Sequence, residues 1–174
     1  MEKQDTRKIV GVVFLCCLLP ILLFVTVPVT TLAQQPTVTI KALDGEVLIS
    51  GSMIAKIGAI LHPGDSIQTL FGSSVNLELS DGSHVEVAEE TSLNITELAL
   101  NPQTGARNSH ILLERGRIRT TLSRAHRQKG CCFHVETPNA LIGILPKQPD
   151  VEVAYDAEAG ETVIFTIPLE IVTT

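Results

Sequence analysis

Between residues 61 and 87 apolar and polar side chains alternate with a period of two. Val75, Leu77 and Leu79 share one parity and Asn76, Glu78 and Ser80 the other, the pattern of a strand with one wet face. After Asp81 and Gly82 the alternation resumes, with Val85 and Val87 apolar and His84 and Glu86 polar. Short runs of similar character cover 37–40, 46–49, 91–98, 110–113, 117–122, 151–154 and 162–167. Residues 53–60 are apolar with an irregular period, and 101–108 form a turn-rich segment read as an exposed loop. Gly and Asp punctuate the runs, so the pattern predicts an all-β chain. We expect a flattened β-solenoid or roll of short strands, with a two-sheet β-sandwich as the alternative. Helix is expected only in an apolar segment at the N-terminus.

The turn at Asp81-Gly82 constrains the pairing. A two-residue hairpin loop there sets Leu79 opposite His84, mixing faces that a buried side keeps apart. A three-residue loop through Ser83 sets Leu79 opposite Val85 but places Glu78 opposite Glu86, a repulsive pair. A corner between strands of successive coils avoids both faults and is the expectation here.

Lys3, Arg7 and Lys8 precede an apolar run over 9–27 and a small-residue ending at Ala33. We read 1–33 as an export signal cut between Ala33 and Gln34. The competing reading is an uncleaved membrane anchor, because the stretch is long enough to cross a bilayer. Both deliver residues 34–174 outside the cytoplasm. Cys16 and Cys17 lie within the run, leaving Cys131 and Cys132 as the exported thiols. Adjacent strand residues point to opposite faces, so a bridge between them is strained, and both are read as buried or idle.

Composition narrows the chemistry. The chain has no Trp, one Tyr and five Phe, so its core must be built from Val, Ile and Leu. A formal charge of −6 argues against nucleic acid as the partner. The one basic concentration is Arg115, Arg117, Arg119, Arg124, Arg127 and Lys129, with no acid among them. At strand spacing Arg115, Arg117 and Arg119 project from one face and form the best candidate binding patch, for an acidic polymer or partner. The alternative is a solvated outer face balanced by acids between Glu78 and Glu97. The five histidines are scattered singly. His84 with Glu86, or Cys132 with His134, supply at most two ligands each, which is not a metal site. No nucleophile, base and orienting group assemble, so no catalytic residue and no cofactor are expected.

One combination of motifs goes further. Leu61, Gly64, Asp65, Ile67 and Thr69, then Ser74, Leu77, Leu79, Asp81, Gly82, Ser83, Val85 and Thr91, resemble the FecR-like domain. Its later elements recur as Leu113, Gly116, Arg117 and Ile118, and as Val135, Thr137, Pro138 and Ala140. Gly64, Asp65, Asp81, Gly82, Ser83, Thr137 and Pro138 are taken as structural members of that pattern. The chain departs from it after Gly143, where Pro146 and Pro149 interrupt the expected strand. The resemblance implies a β-solenoid-like fold in the bacterial envelope, exported to the periplasm or cell surface, with an inner-membrane anchor if 1–33 is retained. It implies kinship with membrane regulators of iron uptake, whose cytoplasmic part restrains a sigma factor. Here only 1–8 is available for such a part, which is too short to hold a partner. The expectation is therefore a non-enzymatic binding or scaffolding module for an envelope protein or an acidic surface polymer. The alternative is a sensory accessory to a separately encoded transmembrane regulator.

Overall fold

The computed structural model describes residues 36–166 apart from 102, 125–131, 146, 148 and 149. Thirteen strands follow one another: β1 Val38–Asp44, β2 Val47–Ile49, β3 Met53–Ile54, β4 Ile60–Leu61, β5 Ser66–Thr69, β6 Ser74–Leu79 and β7 His84–Val87. They continue as β8 Ser92–Leu100, β9 Arg107–Thr121, β10 Cys132–Thr137, β11 Ala140–Ile144, β12 Asp150–Asp156 and β13 Glu161–Thr166. The described residues are all-β and take the form of a roll, one continuous open sheet curled on itself; the helix expected in the N-terminal apolar segment lies outside them.

The long strand β9 belongs to both halves of that sheet. Its first half pairs with β8 and, in parallel, with β10; its second half pairs with β7 and β12. One half-sheet therefore runs β4-β1-β6-β7-β9-β12-β13 and the other β3-β2-β5-β8-β9-β10-β11. Alternation along each strand turns one side inward. Val38, Ile40, Leu77, Val85, Ile118 and Val153 from the first half join Val47, Ile67, Leu93, Ile111, Phe133 and Val135 from the second in one core. Burial of these aliphatic side chains is the main stabilising term.

Corners let the sheet curl. At Gly116 φ is +91°, and a Cβ there would stand 2.6 Å from Thr91 Cα. Only a residue without a side chain allows the two backbones to approach so closely. Buried threonines tie the corner together. Thr91 Oγ1 accepts the Arg117 N–H at 3.0 Å and donates to the Glu89 carbonyl, while Thr69 Oγ1 accepts the Thr91 N–H at 3.0 Å and donates to the Ala88 carbonyl. Water cannot reach these backbone groups, so the hydroxyls take its place. Asp44-Gly45 makes a second corner, between β1 and β2, where buried Ser73 accepts the Glu46 N–H.

Asp81-Gly82 departs from expectation. It forms an antiparallel hairpin between β6 and β7, not a corner between coils. The loop is residues 80–82, closed by the Leu79 N–H on the Ser83 carbonyl and the Gly82 N–H on the Leu79 carbonyl, each at 2.8 Å. This register keeps Leu77 opposite Val85 but sets Glu78 opposite His84 and Glu86 opposite Asn76. The carboxylate clash that disfavoured a hairpin is removed by starting the loop one residue earlier, at Ser80. Two further expectations change. The runs at 110–113 and 117–122 belong to one bent strand, and the loop expected over 101–108 shortens because β9 begins at Arg107. The irregular 53–60 segment carries β3 and the first residue of β4, strands of two residues each.

Candidate functional site

The outer face of the first half-sheet carries a row of polar residues, one per strand. Asn76, Glu86, Arg119 and Glu152 stand side by side across β6, β7, β9 and β12. Their positions follow from alternation, since each neighbours an inward residue: Leu77, Val85, Ile118 and Val153. The row lines a shallow groove of about 510 Å³ together with Asp44 and Arg117. Asn76 Oδ1 is buried in it without a hydrogen-bond partner.

Arg119 grips Asp150 through two parallel bonds, Nε to Oδ1 at 2.9 Å and Nη2 to Oδ2 at 2.7 Å. This fork matches guanidinium to carboxylate. The hydrogen bonds and charge of Asp150 raise the Arg119 pKa above its ordinary value, aided by Glu86 and Glu152 and opposed by desolvation. A raised basic pKa adds stability that is complete below the unfolded value and lost only in strong alkali. Arg117 Nη1 lies 3.6 Å from Glu152 Oε1. Two arginines thus face three carboxylates, Glu86, Asp150 and Glu152, and an anionic ligand would have to displace Asp150 to reach Arg119.

The expected basic patch is divided by the fold. Burial alternates up to Leu113, breaks over 114–117 and resumes out of phase at Ile118. Arg115 therefore sits before the Gly116 corner, opposite Ser92, and does not share the face of Arg117 and Arg119. Arg124 is exposed beyond the end of β9. Arg127 and Lys129 lie outside the described residues, as do Ala33 and Gln34 at the expected cleavage point. The balancing acids come chiefly from β12, with Glu86 the contributor from the 78–97 stretch. Because the Arg119–Asp150 pair is part-exposed, Arg119→Ser and Asp150→Asn should each lower stability by roughly 1 kcal/mol or less. The double variant should lose no more than either single one. Urea unfolding of the three variants checks this.

The other expected positions have structural surroundings. Asp65 Oδ2 accepts the His62 N–H and the Gly64 N–H bonds the Ile95 carbonyl. Asp81 Oδ1 accepts the Ser83 N–H, and buried Ser83 Oγ accepts the Ser123 N–H. Thr137 Oγ1 accepts the Ala140 N–H across the turn holding exposed Pro138 and is hydrogen-bonded to Thr162 Oγ1 at 2.8 Å. Of the two expectations for the thiols, buried or idle, burial does not hold for Cys132, which is exposed because it occupies the outward parity of β10; Cys131 is outside the described residues. His134 stands beside His110 with ring centroids 6.2 Å apart, and His110 Nε2 lies 2.9 Å from Glu136 Oε2. Among the described residues no group of three His, Cys, Asp or Glu is arranged to hold a metal.

Sequence reading passed over one surface. Among the described residues β13 is the last strand and pairs with β12 alone; on its other side only Thr162 is bonded, to Thr137 and Asn139. Val163, Ile164 and Phe165 on it are 43%, 48% and 53% exposed. Alternation at 162–167 announces a strand with a buried side, yet Ile164, on the inward parity, is not covered. A free, apolar strand edge without a blocking Lys or Pro is a template for another strand.

The model of one protein family, described as FecR protein, matches residues 65–166, from Asp65 through to the last residue of β13. No curated protein and no solved structure matches the chain.

Proposed function

From the premise that this chain belongs to the FecR protein family, we propose that it is a non-enzymatic binding module of the bacterial envelope, engaging a protein partner through the edge of β13. The family is a regulatory and signalling one, associated with iron-uptake regulators and generally with the envelope. The observation that carries the reading is the uncovered apolar edge Val163, Ile164 and Phe165. Main-chain pairing with an added strand supplies affinity and alternate side chains supply selection, so such a site needs no catalytic motif. Acidic surface polymer is the weaker partner, because Asp150 and Glu152 already engage the arginines that would receive it.

A sensory accessory to a separate transmembrane regulator is the second reading, favoured by the family association. The two readings share the edge and differ in what pairs with it.

The test is in-cell crosslinking of a tagged copy, with mass spectrometry of what is recovered. Val163→Lys with Phe165→Lys places charges on the edge at exposed positions, where the fold tolerates them. The expected result is at least a tenfold fall in partner recovery with unchanged circular dichroism. Undiminished recovery would sink the β13 reading. Arg117→Ser with Arg119→Ser, compared at low and high salt, should leave recovery unchanged; a salt-dependent fall would restore the polymer reading. A membrane regulator among the products identifies the sensory role.

A further inference from the structure

The polar row on the outer face of the first half-sheet continues at both ends. Strand register sets Ala42 of β1 opposite Asn76 and Phe165 of β13 opposite Glu152. Phe165 has the outward parity and is exposed, so an aromatic ring closes the row that holds Asn76, Glu86 and Arg119. In the adjoining row Ala154 stands opposite Arg117, with exposed Val163 beyond it. One face therefore joins a polar groove to an apolar shelf. From Asn76 to Phe165 there are four strand spacings, about 19 Å along the sheet.

The hydrogen-bonding groups of this groove are unequally used. Arg119 is engaged by Asp150. Among the described residues the carboxylates of Asp44 and Glu86 take part in no hydrogen bond or ion pair, and Asn76 Oδ1 is buried without a partner. A buried acceptor left unpaired costs free energy that a donor recovers. These three groups accept, whereas Arg117, 3.6 Å from Glu152, keeps N–H donors to offer. A ligand that fits must bring closely spaced donors, take a bond from Arg117 and lay an apolar surface on Phe165. An ammonium only donates and meets the charge of Arg117; an acidic group meets Asp44, Glu86 and Glu152. A hydroxyl both donates and accepts, so it suits carboxylate and guanidinium alike. A sugar ring has hydroxyls on its rim and C–H groups on its faces, which matches convergent polar groups beside an aromatic wall.

We propose that this face binds a neutral carbohydrate chain, with hydroxyls on Asn76, Glu86 and Arg117 and one ring against Phe165. The length of the row suits a short run of sugar units, not a single one. Strand addition at β13 uses the main-chain edge of that strand and leaves the face open. The inference goes beyond the partner reading and does not depend on it.

Binding of the full chain to an array of immobilised oligosaccharides tests the proposal. The array carries neutral chains of glucose, galactose, mannose and N-acetylglucosamine units, with uronate-bearing chains, sulfated chains and oligolysine for comparison. At least one neutral series should bind, more tightly as its chain lengthens, and above the acidic chains and oligolysine. Asn76→Ala and Glu86→Ala should each weaken that binding at least about tenfold, the scale of one lost hydrogen bond to a buried or charged group. Phe165→Ala should weaken it severalfold through loss of the ring. Arg115→Ser, on the other side of the Gly116 corner, should leave it unchanged, and each variant should keep the parent circular dichroism. Binding to no neutral chain, tighter binding of oligolysine or of the acidic chains, or neutral binding that survives both Asn76→Ala and Glu86→Ala would overturn the proposal. Asn76 and Glu86 lie away from the β13 edge, so partner recovery is read separately and failure of one reading leaves the other standing.

Discussion

Gly116→Val is expected to lower stability by at least ~3 kcal/mol, a large share of the ~5–15 kcal/mol that holds a domain of this kind together. Part of the loss is conformational, since a β-branched residue at φ +91° is strained by ~1–3 kcal/mol. The larger part is steric. The added Cβ would stand 2.6 Å from the Thr91 Cα, a backbone atom that cannot swing aside. Moving Thr91 breaks its bonds with Thr69 and Arg117, in a place where Thr69 and Thr91 are fully buried. Each buried group left without a partner costs ~1–3 kcal/mol. Gly58 supplies the control, because its φ is +85° but a Cβ there meets nothing within 4 Å. Gly58→Ala should cost only ~1 kcal/mol, and Gly116→Ala two to three times as much. Equal losses in urea unfolding would refute crowding as the reason for glycine at this corner.

The same corner explains what the sequence concealed. Alternation at 74–79 and 84–87 predicts β6 and β7, because inward Val75, Leu77, Val85 and Val87 are separated by single polar residues. The unity of β9 was not legible: its periodicity breaks over 114–117, so one strand reads as two. That phase change also defeats the inference that Arg115, Arg117 and Arg119 share a face. Spacing gives a common side only while the backbone stays extended, and Gly116 at positive φ interrupts it.

The two Asp-Gly pairs show a second limit. Both supply positive φ, at Gly45 and at Gly82, and local sequence ranks them as equivalent. The difference lies in distant neighbours. Gly45 packs against Ser73, where a Cβ would lie 2.9 Å from the serine Cβ, whereas Gly82 has only Ser123 nearby at 3.8 Å. The first turn is pressed between half-sheets and the second is free to close a hairpin. The candidate surfaces were hidden for a similar reason. Arg119 meets Asp150 across 31 residues of sequence. The β3 and β4 strands are too short for any period to register, and the exposure of Ile164 depends on where the core stops rather than on its own pattern.

Phe133→Ala is the second large effect, an expected loss of ~3–5 kcal/mol. With no Trp in the chain, the core is built from branched aliphatic side chains, and Phe133 is the largest fully buried residue. Of the phenylalanines in the described residues, Phe71 and Phe165 are exposed, leaving Phe133 as the one in the core, with part-buried Tyr155 packed at its margin. It sits on β10 between Ser109 of β9 and Ile144 of β11, strands fixed by their own ladders. The surrounding side chains are short and rotamer-restricted, so they cannot extend into the vacated volume, and the cavity persists. Phe133→Leu retains most of the volume and should cost less than half as much. The loss should be felt locally as well, because β10 and β11 are the last two strands of their half-sheet and, among the described residues, β11 pairs with β10 alone, the turn between them being tied on only through Thr137 and Asn139 to Thr162 and Gly160. Hydrogen exchange of the Phe133→Ala protein should therefore show faster exchange at Val135 and Ile142 before Leu77 and Val85 respond. Uniform acceleration across both half-sheets would mean that the roll unfolds as one unit and that its free end has no separate stability.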